Sequence, residues 1–300
     1  MVLFRRLAVL TALFAYLQIA LGGVVRVSGS GLGCPDWPLC HGRPYPPADI
    51  HAIVEYSHRA VGSVTGVLII ATVVLAWIAF RSRRPVVAWL ASASLIGVAI
   101  EGVLGGVVVA HDLASWLVLV HLGLAMMILG FLVAAAVMAM PAAGAVADRG
   151  FRRMAAVATG ATYLMLLSGS TVVASGADQS CRTWPLCGSG FTLDFGGVNA
   201  FTMLHRGTVL VVSALIVYVA VAALKHPALR RAAAATLFVL ALQIAVGAGA
   251  AVTDGALFNG LHVAIATLVW AGTLSIALLT VSRADRATTL SRLTVENTPA

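Results

Sequence analysis

Apolar residues in this chain run on without a period of two. Eight stretches are long and apolar enough to cross a bilayer core: roughly Leu7–Val27, Ala52–Phe80, Pro85–Ala110, Ser115–Met140, Arg153–Ala174, Ala200–Leu224, Ala232–Val252 and Ala256–Val281. Of the segments between them, Arg81–Arg84, Pro141–Arg152 and Lys225–Arg231 are basic, whereas Ser28–His51, His111–Ala114, Ser175–Asn199 and Thr253–Gly255 are not. Basic and non-basic segments alternate, so by the positive-inside rule both termini are cytoplasmic and the two long loops lie outside. The pattern predicts an all-α integral membrane protein with eight transmembrane helices.

Composition agrees, at 60% apolar and 10% charged, against about half and a quarter in a soluble domain. The net charge of +8 raises the question of nucleic acid. Its placement argues against that partner. All but five of the 19 basic residues (Arg26, Arg43, Arg59, Arg182 and Arg206) fall in or beside the N-terminal stub, the C-terminal tail and the three basic linkers. The start of the chain, Phe4-Arg5-Arg6 and then an apolar run, imitates a signal peptide. No small-x-small cleavage site precedes the Val24–Gly31 segment, so it reads as a retained first helix. The tail after Arg283 is polar and aperiodic, and is expected to be disordered.

An internal repeat changes the picture most. Gly33-Cys34-Pro35-Asp36-Trp37-Pro38-Leu39-Cys40 returns as Ser180-Cys181-Arg182-Thr183-Trp184-Pro185-Leu186-Cys187 at an offset of 147. The same offset maps Gly22 on Gly169 and His58-Arg59 on His205-Arg206. Gly105 maps on Gly247 and Asp112 on Asp254 at 142, and His121 on His262 at 141. Four spans precede the midpoint and four follow, which makes a parallel repeat. The expected organisation is a four-helix bundle over residues 1–145, a second over 146–284 and a tail over 285–300.

Of the eight histidines, His41, His51, His111 and His226 lie in predicted loops and read as solvated. His58, His121, His205 and His262 are intramembrane, where ionisable groups are functional candidates by default. Each sits about six residues inside the outer edge of an even-numbered span, at a depth of ~9 Å. Two imidazoles at one level on separate helices of a bundle can ligate one haem iron from both sides. Gly62 and Gly66 below His58, Ala125 below His121, and glycines on the odd-numbered spans leave room for a flat macrocycle. Interhelical hydrogen bonding is the plainer reading of one such histidine, but it does not explain four in duplicated positions. A zinc or copper site fits less well, because the cysteines are not at the histidine level. Both pairs lie near one leaflet, which disfavours an electron wire across the bilayer. A transporter is suggested only by the parallel repeat, without charged midplane sites.

The halves are unequal. Glu55, three residues before His58, has Thr202 as its counterpart; Arg26 has Val173; Glu101 has Gln243. Arg59 and Arg206 follow the histidines in both halves and suit either haem propionates or lipid headgroups. Glu101 is compatible with a structural hydrogen bond or a proton path. The four cysteines lie in the outer loops, where disulfides form. Of the three pairings, the repeat favours Cys34–Cys40 and Cys181–Cys187.

The run Gly22-Gly23-Val24-Val25-Arg26-Val27-Ser28-Gly29-Ser30-Gly31-Leu32-Gly33-Cys34-Pro35-Asp36-Trp37-Pro38-Leu39-Cys40, followed by Glu55-Tyr56-Ser57-His58-Arg59, resembles the heme A synthase family. So do the four intramembrane histidines and the duplicated plan. The resemblance implies oxidation of a ring methyl of heme O to a formyl group, giving heme A for terminal respiratory oxidases. It implies that His58 and His121 bind the substrate haem and that His205 and His262 bind a resident haem b. Glu55 would be catalytic, transferring protons or stabilising charge at the methyl carbon, and Arg26, Arg59 and Arg206 are candidate propionate contacts. The implied partners are heme O, the lipid bilayer, an electron donor, heme O synthase and oxidase assembly factors. The implied place is the plasma membrane, with the cysteine loops extracytoplasmic. The first cysteine pair has a candidate redox role in such proteins. An iron with two histidine ligands has no open position, so either one imidazole leaves or the oxidant reacts by another route. The alternative class is a haem-binding electron-transfer protein without substrate chemistry.

Overall fold

A computed structural model describes residues 1–141, 149–188, 191–253 and 255–281. Among these residues there are nine helices and no strand. Eight are long and apolar enough to cross a membrane: α1 (Val2–Val27), α2 (Ile50–Phe80), α3 (Pro85–Ala110), α4 (Ser115–Ala139), α5 (Arg149–Ala174), α7 (Asn199–Leu224), α8 (Arg230–Thr253) and α9 (Ala256–Leu279). The predicted spans agree in number and order, and the chain is a multi-pass membrane protein. The one-turn helix α6 (Ala177–Ser180), in the second outer loop, does not follow from the apolar pattern. The expected boundary near residue 145, Asp254 as the partner of Asp112, and the tail over 285–300 lie outside the described residues.

Helix ends differ from the expected spans for local reasons. At the N-terminal end of α2, Asp49 accepts from the backbone N–H of Ala52 at 3.0 Å and caps the helix. The helix therefore begins two residues earlier than hydropathy suggests, and His51 belongs to its first turn. At their N-terminal ends, α1, α5 and α8 begin among arginines, whose apolar stems suit a helix while the cation reaches out. Arg5 of α1 and Arg84, just ahead of α3, have definite work. Arg5 donates to the carbonyl of Ala139 at 2.8 Å, and Arg84 to those of Met138 at 2.9 Å and Met140 at 3.2 Å. They satisfy the orphan carbonyls at the C-terminus of α4 and tie α1 and the α2–α3 turn to it.

In the first set of four helices, α1 and α3 each pack on both α2 and α4. Helices α2 and α4 therefore stand at opposite corners. In the second set, α5 and α8 each pack on α7 and α9, with a slighter contact across the α7–α9 diagonal. The sets meet where α1 and α4 pack on α9 and α4 packs on α5. Lipid tails are as apolar as leucine, so association rests on close contact and interhelical hydrogen bonds. The inner end of the first set is filled by Phe4, Phe80, Val87, Ala88 and Ala135, with the two phenylalanine rings 4.9 Å apart. The inner end of the second is filled by Ala158, Val219, Leu229, Ala233 and Ile276. Between the sets, Trp270 of α9 lies over Gly130 of α4 so closely that an added Cβ would stand 2.5 Å from its Cη2. Tyr163 of α5 donates to the Gly123 carbonyl of α4 at 3.0 Å.

Candidate functional site

Above the packed inner ends, each set presents two imidazoles, one from each of its opposite corners. His121, His205 and His262 lie six residues inside their helices, and His58 lies eight inside its longer one; the depths are ~9 and ~12 Å. His58 and His121 are within electrostatic reach of each other, as are His205 and His262.

A glycine on the preceding long helix seats each ring. A Cβ added at Gly22 would lie 3.2 Å from His58 Cε1, and one at Gly169 would lie 3.0 Å from His205 Cε1. At Gly105 the distance to His121 is 3.4 Å, and at Gly247 the distance to His262 is 2.8 Å. These are the repeat-related pairs, so the glycines recur because the imidazoles do. Each ring also meets a polar side chain from that same neighbouring helix. The Gln18 amide nitrogen is 3.2 Å from His58 Nε2, and Ser168 Oγ is 2.8 Å from His205 Nδ1. Glu101 Oε1 is 3.0 Å from His121 Nδ1, and the Gln243 amide nitrogen is 3.0 Å from His262 Nδ1. Of the glycines expected to admit a macrocycle, Gly66 faces open space, but Gly62 is approached by Gln18, whose amide nitrogen would stand 3.0 Å from an added Cβ.

Haem fits what these residues offer. Two buried imidazole nitrogens, His58 Nδ1 and His121 Nδ1, make no hydrogen bond among the described residues, which is costly unless something binds there. Glycine lets each ring sit close against the neighbouring helix, most tightly at Gly247, and the imidazoles come in pairs from diagonal helices.

The first cysteine loop is built onto the N-terminal end of α2. Cys34 and Cys40 are bonded, as are Cys181 and Cys187, and the Trp37–Pro38 and Trp184–Pro185 peptides are both cis. Gly33 crosses α2 so closely that an added Cβ would collide with the His51 carbonyl. Trp37 lies on Gly106 of α3, where the corresponding distance is 3.1 Å. Glu55 is buried beneath the loop. Its Oε2 accepts from the Cys34 backbone N–H at 2.7 Å, and its Oε1 pairs with Arg59. Arg59 donates in turn to the carbonyls of Asp36 and Leu39 at 2.6 Å and of Cys34 at 2.7 Å. In the exposed turn between α1 and α2, Asp36 accepts from the backbone N–H groups of Gly42 at 2.7 Å and His41 at 2.6 Å. These bonds, Gly42 first, hold its carboxyl below the usual carboxylate range.

Among the described residues the second loop keeps the plan with a different set of ties, including one from Ser180 Oγ to the Asn199 side chain of α7 at 2.5 Å. Arg206 donates to the carbonyls of Pro185 at 3.2 Å and Cys181 at 3.3 Å. Thr202, at the position of Glu55, donates to Ala177 at 3.3 Å. Arg26, at the end of α1, interacts electrostatically with Asp178 of α6.

The structure thus brings together the four histidines as two pairs, and Glu55 with Arg59 and the cysteine loop. The sequence places Glu55 beside the imidazole of His58; its oxygens instead serve the loop. Arg59 and Arg206 hold loop carbonyls, a role the sequence does not suggest. Nor does it single out Gln18, Ser168 and Gln243 as imidazole partners. The two glutamines are detectable in principle as polar residues within apolar spans, whereas a helical serine carries no such signal.

Three curated relatives named heme A synthase are similar to this chain. The one from Alkalihalophilus pseudofirmus is 31% identical over 223 residues, covering 71% of this chain and 74% of the relative. The one from Exiguobacterium sibiricum is 28% identical over 256 residues, covering 81% and 84%. The one from Geobacillus kaustophilus is 27% identical over 287 residues, covering 91% and 90%. Residues 5–274 match the model of the COX15-CtaA family, described as cytochrome oxidase assembly protein. That match reaches into every long helix and takes in all four seated imidazoles and both cysteine loops, so the chain belongs to the COX15-CtaA family.

Proposed function

We propose that this chain is a heme A synthase, an oxidoreductase that converts a ring methyl of heme O to a formyl group to make heme A for terminal respiratory oxidases. The observation that carries this is the set of four glycine-seated imidazoles at repeat-related positions, in a chain whose relatives bear that name. The membrane setting suits a substrate as apolar as heme O.

The division of labour follows the asymmetry of the halves. His58 and His121 hold the substrate haem in a unit over residues 1–145, and His205 and His262 hold a resident haem b in a unit over 146–284. Bound haem supplies the redox-active iron. Glu55 is a carboxyl found in the first half and not at the matching position of the second, and it is buried. It is the candidate catalytic group, and it also fixes the loop through Cys34. Arg26, Arg59 and Arg206 are the cations at the rim that would meet propionates. The cysteine loops face the extracytoplasmic side of the plasma membrane. The electron donor, heme O synthase and oxidase assembly factors are the proposed partners, and Cys34–Cys40 is the candidate redox pair.

The deciding experiment is expression in a host that makes heme O but no heme A, followed by pigment extraction and mass analysis. Hydroxylated and formylated haem is the expected product. If the protein is folded and haem-loaded but yields neither, the enzyme reading fails and a haem-binding electron carrier takes its place. Glu55→Gln keeps an acceptor for the Cys34 N–H and removes the charge. Unchanged heme A production in that variant removes Glu55 from the catalytic set.

A further inference from the structure

Three of the four imidazoles meet their polar neighbour at Nδ1. Ser168 Oγ is 2.8 Å from His205 Nδ1, and the Gln243 amide nitrogen is nearer to His262 Nδ1, at 3.0 Å, than to Nε2, at 3.4 Å. Glu101 Oε1 stands 3.0 Å from His121 Nδ1, without the geometry of a hydrogen bond. His58 is the exception. The Gln18 amide nitrogen is 3.2 Å from its Nε2, and its Nδ1 is buried without a hydrogen bond among the described residues.

The two nitrogens differ in what they can do for a haem. Nδ1 adjoins the ring carbon that carries the stem of the side chain, which crowds a flat ligand, so Nε2 is the nitrogen a macrocycle reaches. A partner at Nδ1 orients the ring and leaves Nε2 for iron. A partner at Nε2 competes with iron, because that nitrogen has a single in-plane position to give.

The contact belongs to the first half only. At the repeat offset of 147, Gln18 maps on Met165 and Gly62 on Val209. Gly62 admits the amide, since a Cβ there would stand 3.0 Å from Gln18 Nε2. The second half has neither the amide nor the bare glycine. Gln18 Oε1 is buried without a hydrogen bond, so among the described residues the amide is tied to His58 alone.

We propose that Gln18 is a positioning residue that holds the His58 imidazole away from iron, which makes the first haem site exchangeable while the second retains its haem. This rests on the proposed ligation of haem by the two histidine pairs. Haem leaves the first half from the arrangement in which His58 is bonded to Gln18. One neutral hydrogen bond biases such an equilibrium by roughly tenfold. The same arrangement leaves one axial position open, which two fixed imidazoles deny.

The test is transfer of haem from the purified full chain, loaded with haem b in both halves, to excess apomyoglobin, followed by absorbance. Two phases are expected, with His58→Ala removing the fast one and His205→Ala the slow one. Gln18→Met, which puts the second half's residue in the first, is expected to slow the fast phase about tenfold and leave the slow phase unchanged. A contact that merely supported the bundle would, once removed, speed release. A fast phase that is unchanged or quickened in Gln18→Met therefore overturns the inference, as does release of both haems from the parent chain at one rate. If Gln18→Met does not fold, Gln18→Leu, of similar size and without an amide, carries the same expectation. Retention of both haems in His58→Ala and in His205→Ala would instead sink the ligation itself.

Discussion

The four histidines depend on four residues with no side chain at all. At Gly247 a methyl group would stand 2.8 Å from His262 Cε1, closer than carbon atoms tolerate, and the obstacle is a ring with a task. Overpacking of this kind costs about 1–3 kcal/mol, and here the ring gives way before the backbone does. Gly247→Ala is therefore expected to lower haem content to about half that of the parent protein, read from the pyridine haemochrome per chain. Gly160→Ala, where the added methyl meets nothing within 4 Å, should leave it unchanged; equal loss in both would remove the seat argument. The histidines are legible in the sequence because an ionisable residue inside an apolar span has few innocent explanations. The glycines are legible only as small residues, since which face of α1 meets α2 depends on helix rotation. Glu55 is legible as important, but spacing misdirects it. Three residues before His58 is nearly one turn, yet its carboxyl leans outward to the Cys34 N–H.

At the scale of elements, the two outer loops share a cysteine staple and differ in how they are tied down. Closing so short a loop stabilises each by roughly 2 kcal/mol in the chain-entropy account. The first loop is held besides by Glu55, Arg59 and Trp37, whereas among the described residues the second has the longer bonds of Arg206 and Thr202 and a bond from Ser180 to Asn199. Replacing both Cys181 and Cys187 by Ser is expected to leave heme A production largely intact. The Cys34→Ser and Cys40→Ser pair should lower it several-fold, because that loop lies against the proposed reaction half. Equal effects would mean that the loops are interchangeable staples. The turn at Asp36 adds a pH dependence. Its carboxyl is held below its usual range by the N–H groups of Gly42 and His41. The stabilisation is therefore complete above the ordinary carboxylate pKa and is lost as pH falls through the depressed folded value. Amide exchange at His41 and Gly42, corrected for intrinsic rate, should accelerate selectively on that acidification; no acceleration would show that the turn does not depend on the carboxylate. None of these ties follows from hydropathy, because loop backbones leave no periodic trace. The cysteine pairing does follow, from repetition alone.

For the whole molecule, the number, order and length of the spans can be read from the chain, since bilayer thickness sets them. Neighbour relations cannot, because lipid-facing and helix-facing surfaces are equally apolar here. The contact between halves shows what decides them: Trp270 fills the space left by Gly130, and Tyr163 finds the carbonyl of Gly123. Trp270→Ala should cost about 3–5 kcal/mol, read as a lower thermal midpoint in detergent. Gly130→Leu is expected to be damaging alone and far milder in the Trp270→Ala background. Strict additivity of the two would mean that the residues do not share that space.

The aromatic and aliphatic packing at the inner end of each unit, with Phe4 against Phe80 in the first, has a consequence for traffic. A rigid disc the width of a haem cannot be threaded through that plug without unpacking the bundle. Cargo must therefore board and alight on the loop-bearing side or through the flank of the bundle at that height. Whatever supplies the substrate and whatever collects the product then share one wharf, and handover becomes a matter of diffusion along the membrane plane rather than passage through it.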